Sequence, residues 1–497
     1  MSSKRCYVLL LAVVLVCLPQ FVERAQGSSG SESVRIAGGG SSAPREIRTC
    51  ELSLYPKAAP DAALEYVLGA PYIDQRPGNG AALYDTALSI MTNVQSQNPS
   101  LDGEQIYKWC DIPVDETPLK DIRSALLTFE STIHYTDLAS RCEYCVWEYP
   151  VREEGLRCQM PKLIGYRNLA RLLILKIRVQ MADGDVAGAV DTLRIGMSLG
   201  KDVGNGPFVI QGLVGIGIDG MMLKEMRNMV QSPDTPNLYW ALTTLPKPLI
   251  DMHKAMQVEY SLLYLEMPEL RTLEKEVWSN EQALKLAEKL VSYMGEEDHG
   301  GLGNFIAKGG ILASAMKSYP DAKKSLLERG MTMAEVEAMT PLQVILIYKN
   351  REYRRVCDMQ FKWTNLPFWQ AREGLKKSDE EAGKHHSMNR YDIIARILMY
   401  TTPAIERISF IRARFERDLS MMQCVEAIRM YAAGNDGRLP KSLGDITEAP
   451  VPIDPVYGRA FSYKVAGDKA VLESPAPEGG SPRDGMRFEI TLKKASR

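Results

Sequence analysis

Tyr431-Ala-Ala-Gly-Asn-Asp-Gly-Arg-Leu-Pro-Lys-Ser-Leu443, followed by Asp454-Pro-Val-Tyr-Gly-Arg-Ala-Phe-Ser-Tyr463, closes a long charged helix and opens a small sheet. Upstream, Ile408, Ile411, Phe415, Leu419, Met422, Val425 and Ile428 recur at threes and fours, the period of one helix face. That helix begins near Pro403, a residue suited to a first turn, and stops at Gly434. Arg412, Arg414, Glu416, Arg417 and Asp418 fall between the apolar positions, so the helix is expected to pack along one stripe only. Downstream, Phe461-Ser-Tyr-Lys-Val465, Ala470-Val-Leu-Glu473 and Arg487-Phe-Glu-Ile-Thr-Leu492 read as short strands. Residues 391–497 therefore read as an α+β module. Asp436-Gly437 and Asp454-Pro455 read as turns. The alternative is a calcium site on Asn435, Asp436 and Asp454, which would need about six to eight oxygens.

Everything from 50 to 390 reads as a mainly α body of irregularly paired helices. Its clearest hairpin spans Arg167 to Gly200. Leu169, Leu172, Leu173, Leu175, Ile177 and Val179 fill the first helix, and Ala187, Val190, Leu193, Ile195 and Met197 the second. Between them Gly184 tolerates positive φ and Asp185 can cap the next helix. Pro207 to Leu223 is apolar with four glycines, and reads as a buried helix whose glycines permit close approach. Residues 50–104 read as short helical stretches broken by prolines, Asp61 to Leu68 among them. Helical patterns resume from 238 through 372, and Lys376 to Arg390 reads as an exposed polar loop.

The N-terminus gives an address. Lys4 and Arg5 precede the apolar run Tyr7 to Leu18, and small residues follow at Ala25 and Gly27. That is the pattern of a cleavable signal peptide over 1–27, and the run falls short of the roughly 20 apolar residues of a membrane span. Residues 28–49 are Gly- and Ser-rich and read as a flexible linker. The expectation is a secreted, periplasmic or cell-envelope protein without an integral span after cleavage. Of 497 residues, 45% are hydrophobic and 25% charged, enough for a real core. With 60 basic and 62 acidic residues and no basic block, nucleic-acid binding is not expected.

After loss of Cys6 and Cys17, seven cysteines remain. Cys142-Glu-Tyr-Cys145, with Cys158 and Cys110, forms the one thiol grouping worth naming. In an exported chain it reads as disulfide or free thiols. Zinc would want two close pairs, and only one is present; redox exchange is the remaining alternative. Gly215-Ile-Gly-Ile-Asp-Gly220 matches a dinucleotide fingerprint formally, but its surroundings look helical where a strand is required. His134, His253, His299, His385 and His386 form no metal or catalytic motif. Phe361 to Gln370 is densely aromatic, and reads as a helix-terminal core cluster before a ligand groove. No catalytic, cofactor-binding or metal residue is assigned.

Three resemblances go further. Ala-x-x-x-Tyr431, Gly437-Arg-Leu-Pro440, Ser442-Leu443 and Asp454-Pro-x-x-Gly458-x-x-Phe461-x-Tyr463 resemble the globular part of type II secretion pseudopilins. A pilin starts with a leader and a hydrophobic helix that packs the filament core; here the module is C-terminal, so the resemblance implies a fold and not a filament subunit. Ala182-Asp-Gly-Asp-Val-Ala-Gly-Ala-Val-Asp-Thr-Leu193 resembles the junction within one tetratricopeptide unit. Over the mature chain, Arg167-x-Leu-Ala-Arg-Leu-Leu173, Met339 to Leu346, Phe361-Lys-Trp363 and the C-terminal block resemble a family of exported planctomycete-type proteins to which no reaction is assigned. The combined expectation is a scaffold or interaction protein with an envelope protein partner. The alternatives are an envelope hydrolase with dispersed active-site residues and an accessory of a secretion machine.

Overall fold

A computed structural model describes residues 46–155, 158, 163–293, 317–388 and 405–493. The expected signal peptide, residues 28–45 of the linker and residues 391–404 lie outside them. Over the described residues the chain is mainly helical, with a small sheet built largely near the C-terminus. It forms two compact units, neither of them continuous in sequence. Among described residues the larger holds 46–148, 163–252 and 411–493, and the smaller holds 149–155, 158, 253–293, 317–388 and 405–410. Compactness thus does not divide the chain at 390/391, because residues 411–493 close on the N-terminal segment.

The reason starts at residue 48. Short helices were expected from Cys50 onward, yet β1 runs from Arg48 to Leu54. Leu52 and Leu54 are buried while Glu51 is exposed, the alternation of a half-buried strand. Asp61 to Leu68 makes bends and turns instead of a helix. Flanking prolines hold that path, and the Lys57 amide is spent on the carbonyl of Arg429. Two brief strands, β2 (Arg76–Asn79) and β3 (Cys142–Tyr144), pair in parallel and flank α1 (Gly80–Gln97), α2 (Gly103–Asp111), α3 (Leu119–Thr128) and α4 (Glu130–Ser140).

The expected hairpin is present. Helices α5 (Leu163–Ala182) and α6 (Val186–Gly204) meet at Gly184, whose φ is 76°, and the Asp185 carboxylate accepts from the Gly188 amide at 2.9 Å. Helix α7 (Val209–Met229) packs on both. Its apolar run is buried on all sides, and Gly215 carries the close approach: a Cβ there would lie 2.4 Å from the Gly204 Cα. Among the described residues no helix is long and apolar enough to cross a membrane.

In the smaller unit, α8 (His253–Glu266), α9 (Asn280–Tyr293) and α10 (Pro341–Phe361) are followed by α11 (Phe368–Met388). The loop expected over Lys376 to Arg390 is helical as far as Met388. Its Lys, Glu and Ala residues are good helix formers, and polarity alone had been read as irregularity. The aromatic stretch forms the corner between α10 and α11. Phe368 packs on Phe410 at 5.6 Å, and the Trp363 indole donates to Ser378 while lying where a Cβ of Gly374 would go.

Helix α12 (Ile405–Gly434) is followed by β4 (Ser462–Ala466), β5 (Lys469–Ser474) and β6 (Met486–Leu492). The sheet order is β1-β6-β5-β4; the last three are antiparallel as expected, and β1 joins β6 in parallel. The single-stripe expectation for α12 fails. Every residue from Met421 to Met430 is buried, Glu426 and Arg429 included. Arg429 makes this tolerable: it pairs with Glu426 at 2.9 Å and donates to the carbonyls of Tyr55, Thr235 and Pro236. Arg417 pairs with Asp418 at 2.8 Å and donates to the carbonyl of Asp484, while Arg48 of β1 lies 3.6 Å from Asp418. These guanidiniums tie the N-terminal strand, α12 and the C-terminal loops together.

Candidate functional site, a basic cleft on one helix

Helix α10 begins with Thr340, whose hydroxyl accepts from the Gln343 amide, and Pro341 in its first turn. Gln343 in turn donates to the carbonyls of Leu273 and Glu276, fixing the helix start. Val344, Ile345, Ile347, Tyr353, Val356 and Cys357 turn inward. The outer face then carries Arg351, Arg354, Arg355, Asp358, Met359 and Lys362, at steps of three and four. With Arg329 they line an open cleft of ≈ 450 Å³.

Five of those seven residues are cationic, and acids outside the lining orient three of them. Glu352 accepts from Arg329 at 2.5 Å and from Arg355 at 3.2 Å, and Glu381 of α11 takes Arg355 at 3.0 Å. Glu274 holds Arg351 through both its oxygens, at 2.6 and 3.1 Å. Lys362 sits 5.1 Å from the centre of the Trp363 ring. Arg354 is exposed and has no carboxylate within ion-pair distance among the described residues. Beneath the helix, Tyr260 stacks on Tyr353 at 5.9 Å. Burial pushes the Tyr260 and Tyr264 phenols up, so both stay neutral.

Such a surface can hold an anion. Guanidiniums stay charged through the neutral range, present a planar fork of donors and offer no proton at neutral pH. Beside the five cationic side chains the lining carries one carboxylate, Asp358, and the thioether of Met359.

The residues singled out from sequence lie elsewhere. Cys142 and Cys145 come near Asp202, which accepts from the Tyr84 hydroxyl at 3.0 Å. Cys110 sits against α5, its thiol donating to the Arg171 carbonyl at 3.5 Å. Cys158 belongs to the smaller unit, beside Glu153 and Glu154. Cys110, Cys142 and Cys145 are free thiols, so no disulfide joins them. Burial raises the Cys145 thiol and pushes Cys110 up to about 12, away from the thiolate that metal binding or exchange requires. Among the described residues no group of three or more His, Cys, Asp or Glu is placed to hold a metal.

Gly215 to Gly220 lies inside α7 with no strand before it, which removes the context a dinucleotide fingerprint needs. The Asp454 carboxylate is occupied by the Val456 amide at 2.8 Å and the Ser474 hydroxyl at 2.6 Å, the bonding of a turn. His134 belongs to the larger unit and His253 to the smaller; His299 lies outside the described residues, and His385 and His386 fall within α11.

Comparison with protein-family models, with curated proteins and with solved structures finds no match to this chain. The cleft therefore stands on its own geometry. Sequence reading had not singled out its residues, although the spacing of Arg351, Arg354, Arg355 and Lys362 was there to be read. Each taken alone is an ordinary surface charge; only the convergence of Arg329 from a turn distant in sequence makes a concavity.

Proposed function

We propose that this is an exported interaction protein whose smaller unit docks an acidic segment of an envelope partner in the cleft on α10. The carrying observation is the row Arg351, Arg354, Arg355 and Lys362 on one helix face, with Arg329 opposite and three of the guanidiniums held in place by Glu274, Glu352 and Glu381. Anchored guanidiniums lose little freedom on meeting a carboxylate, so complementarity is translated into affinity. Export is supported by the basic and apolar residues from Lys4 to Leu18 and the small residues at Ala25 and Gly27. The α5–α6 hairpin supports a tetratricopeptide-like reading of the helical part. The order helix, turn, three antiparallel strands over 405–492 supports a pseudopilin-like reading of the C-terminal part, to which β1 is an addition.

Fluorescence anisotropy with a labelled oligoglutamate peptide tests the docking reading. The full chain should bind it at low ionic strength and release it as salt rises. The Arg354→Glu/Lys362→Glu protein should bind at least about tenfold more weakly. Equal affinity in the two proteins, or no binding by the natural chain at low salt, would sink the reading.

A further inference from the structure

The four most deeply buried arginines of the larger unit each meet a carboxylate. Arg178 lies 3.5 Å from Glu225, Arg194 2.8 Å from Asp137, Arg417 2.8 Å from Asp418 and Arg429 2.9 Å from Glu426. Arg167 and Arg171 of α5 do not follow them. Both are half-buried, and among the described residues neither has a carboxylate within ion-pair distance. They are four residues apart, so they share one helix face, where like charges are destabilising.

Neighbouring groups hold this arrangement in place. Arg171 donates to the Asn168 side-chain oxygen at 2.6 Å, and its guanidinium lies over the Tyr107 ring of α2 at 5.0 Å. Asn168 is buried in turn, and a Cβ on Gly103 would lie 2.8 Å from its amide nitrogen. The Arg167 Nε is buried without a hydrogen-bond partner. Burial, then the charge of Arg171, lowers Arg167 to about 10, and burial lowers Arg171 as well; both still carry a proton at neutral pH. A buried donor left unmatched and two adjacent unmatched charges each cost stability. One doubly charged oxyanion answers both deficits.

We propose that Arg167 and Arg171, set by Asn168 and Tyr107, form a binding site for a phosphate-class oxyanion, distinct from the cleft on α10. Two guanidinium forks match the charge and the several acceptor oxygens of a phosphate dianion better than those of a single carboxylate. The ligand is either free phosphate or a phosphate group on a small molecule.

Thermal unfolding of the full chain in phosphate-free buffer, then with inorganic phosphate at constant ionic strength, tests the site. The midpoint of the natural chain should rise by about 2 °C or more. The Arg167→Gln/Arg171→Gln protein should show no phosphate-dependent rise, and without phosphate should melt no lower than the natural chain. Arg354→Gln/Lys362→Gln should keep the full rise, which separates this site from the cleft. Equilibrium dialysis gives an independent reading with the charge-conserving Arg167→Lys, expected to bind phosphate about tenfold more weakly because the donor fork is gone. No rise in the natural chain, an equal rise in the Gln variant, or unchanged phosphate affinity in Arg167→Lys would each overturn the site. A stronger response to a phosphomonoester than to inorganic phosphate would assign the natural ligand to the small-molecule class.

Discussion

Arg429 on α12 and Arg354 on α10 carry the same side chain on helices with similar mixtures of apolar and charged residues. One is wholly buried, paired with Glu426 and bonded to three backbone carbonyls; the other is exposed and faces a cleft. What separates them is what lies opposite. Where the opposing groups are unpaired carbonyls of an irregular segment, the guanidinium becomes internal mortar. Where the opposing space is open, the same group stays available to a ligand. Charge content on a helix therefore fixes neither its burial nor its role.

That contrast can be broken most severely at Arg429. Arg429→Met leaves the buried Glu426 carboxylate without its counter-charge and three carbonyls without their arginine donor, and should cost about 3–5 kcal/mol in urea unfolding of the larger unit. Adding Glu426→Leu should recover a good part of the loss, because the stranded charge leaves with it. A single-variant cost below about 1 kcal/mol would mean that water or a rearranged partner reaches the site.

Acid tests the same network by a different route. The charges of Arg417, Arg48 and Arg414 overcome burial and hold the Asp418 carboxyl down to about 2. Its folded pKa is thus below its unfolded value of about 3.9, so its stabilisation is present above pH ~4 and is lost as pH falls through about 2. It amounts to about 2–3 kcal/mol. Asp418→Asn should flatten the acid limb of the stability curve; an unchanged limb would remove Asp418 from the account.

Glu352 offers an intermediate case. Replacing it with Gln releases Arg329, leaves Arg355 to Glu381 alone, and should cost about 0.5–1.5 kcal/mol, since the pairs are only partly shielded from water. It should also weaken oligoglutamate binding by loosening the guanidiniums. Tighter binding would show instead that Glu352 competes with the ligand. The smallest stability effect belongs to Arg354→Glu, within about 0.5 kcal/mol by urea unfolding, although its effect on binding is large. A stability loss beyond that would make Arg354 a structural residue.

Much of the fold was legible where period and punctuation agreed. The α5–α6 hairpin, with Gly184 and Asp185 at its turn, the buried α7 and the strands after Phe461 follow from local pattern alone. Strand β1 escaped although Leu52 and Leu54 alternate, because its partner is a distant strand and prolines nearby drew attention to turns. Lys376 to Met388 was misread because polarity can mean either a solvated helix or a loop. The interior of α12 was hidden for a tertiary reason: nothing near Glu426 or Arg429 in sequence announces the carbonyls of Tyr55, Thr235 and Pro236. The cleft was half legible, as a row of basic residues on α10; Arg329, and the acids that aim the row, were not.

The parallel pairing of β1 with β6 has a consequence for the order of assembly. Arg48 and the Arg483 carbonyl it binds are 435 positions apart, so β1 is finished long before its partner exists. At roughly 5–20 residues per second, a growing chain carries β1 without its mate for about 20–90 seconds. Through that interval its edge is open to wrong pairings, and loop closure over so long a span makes the correct pairing slow. The four-stranded sheet can therefore close only once Met486 to Leu492 has been made. A chain halted before Met486 would display β1 as an adhesive strand, a natural handle for the cell's machinery of quality control.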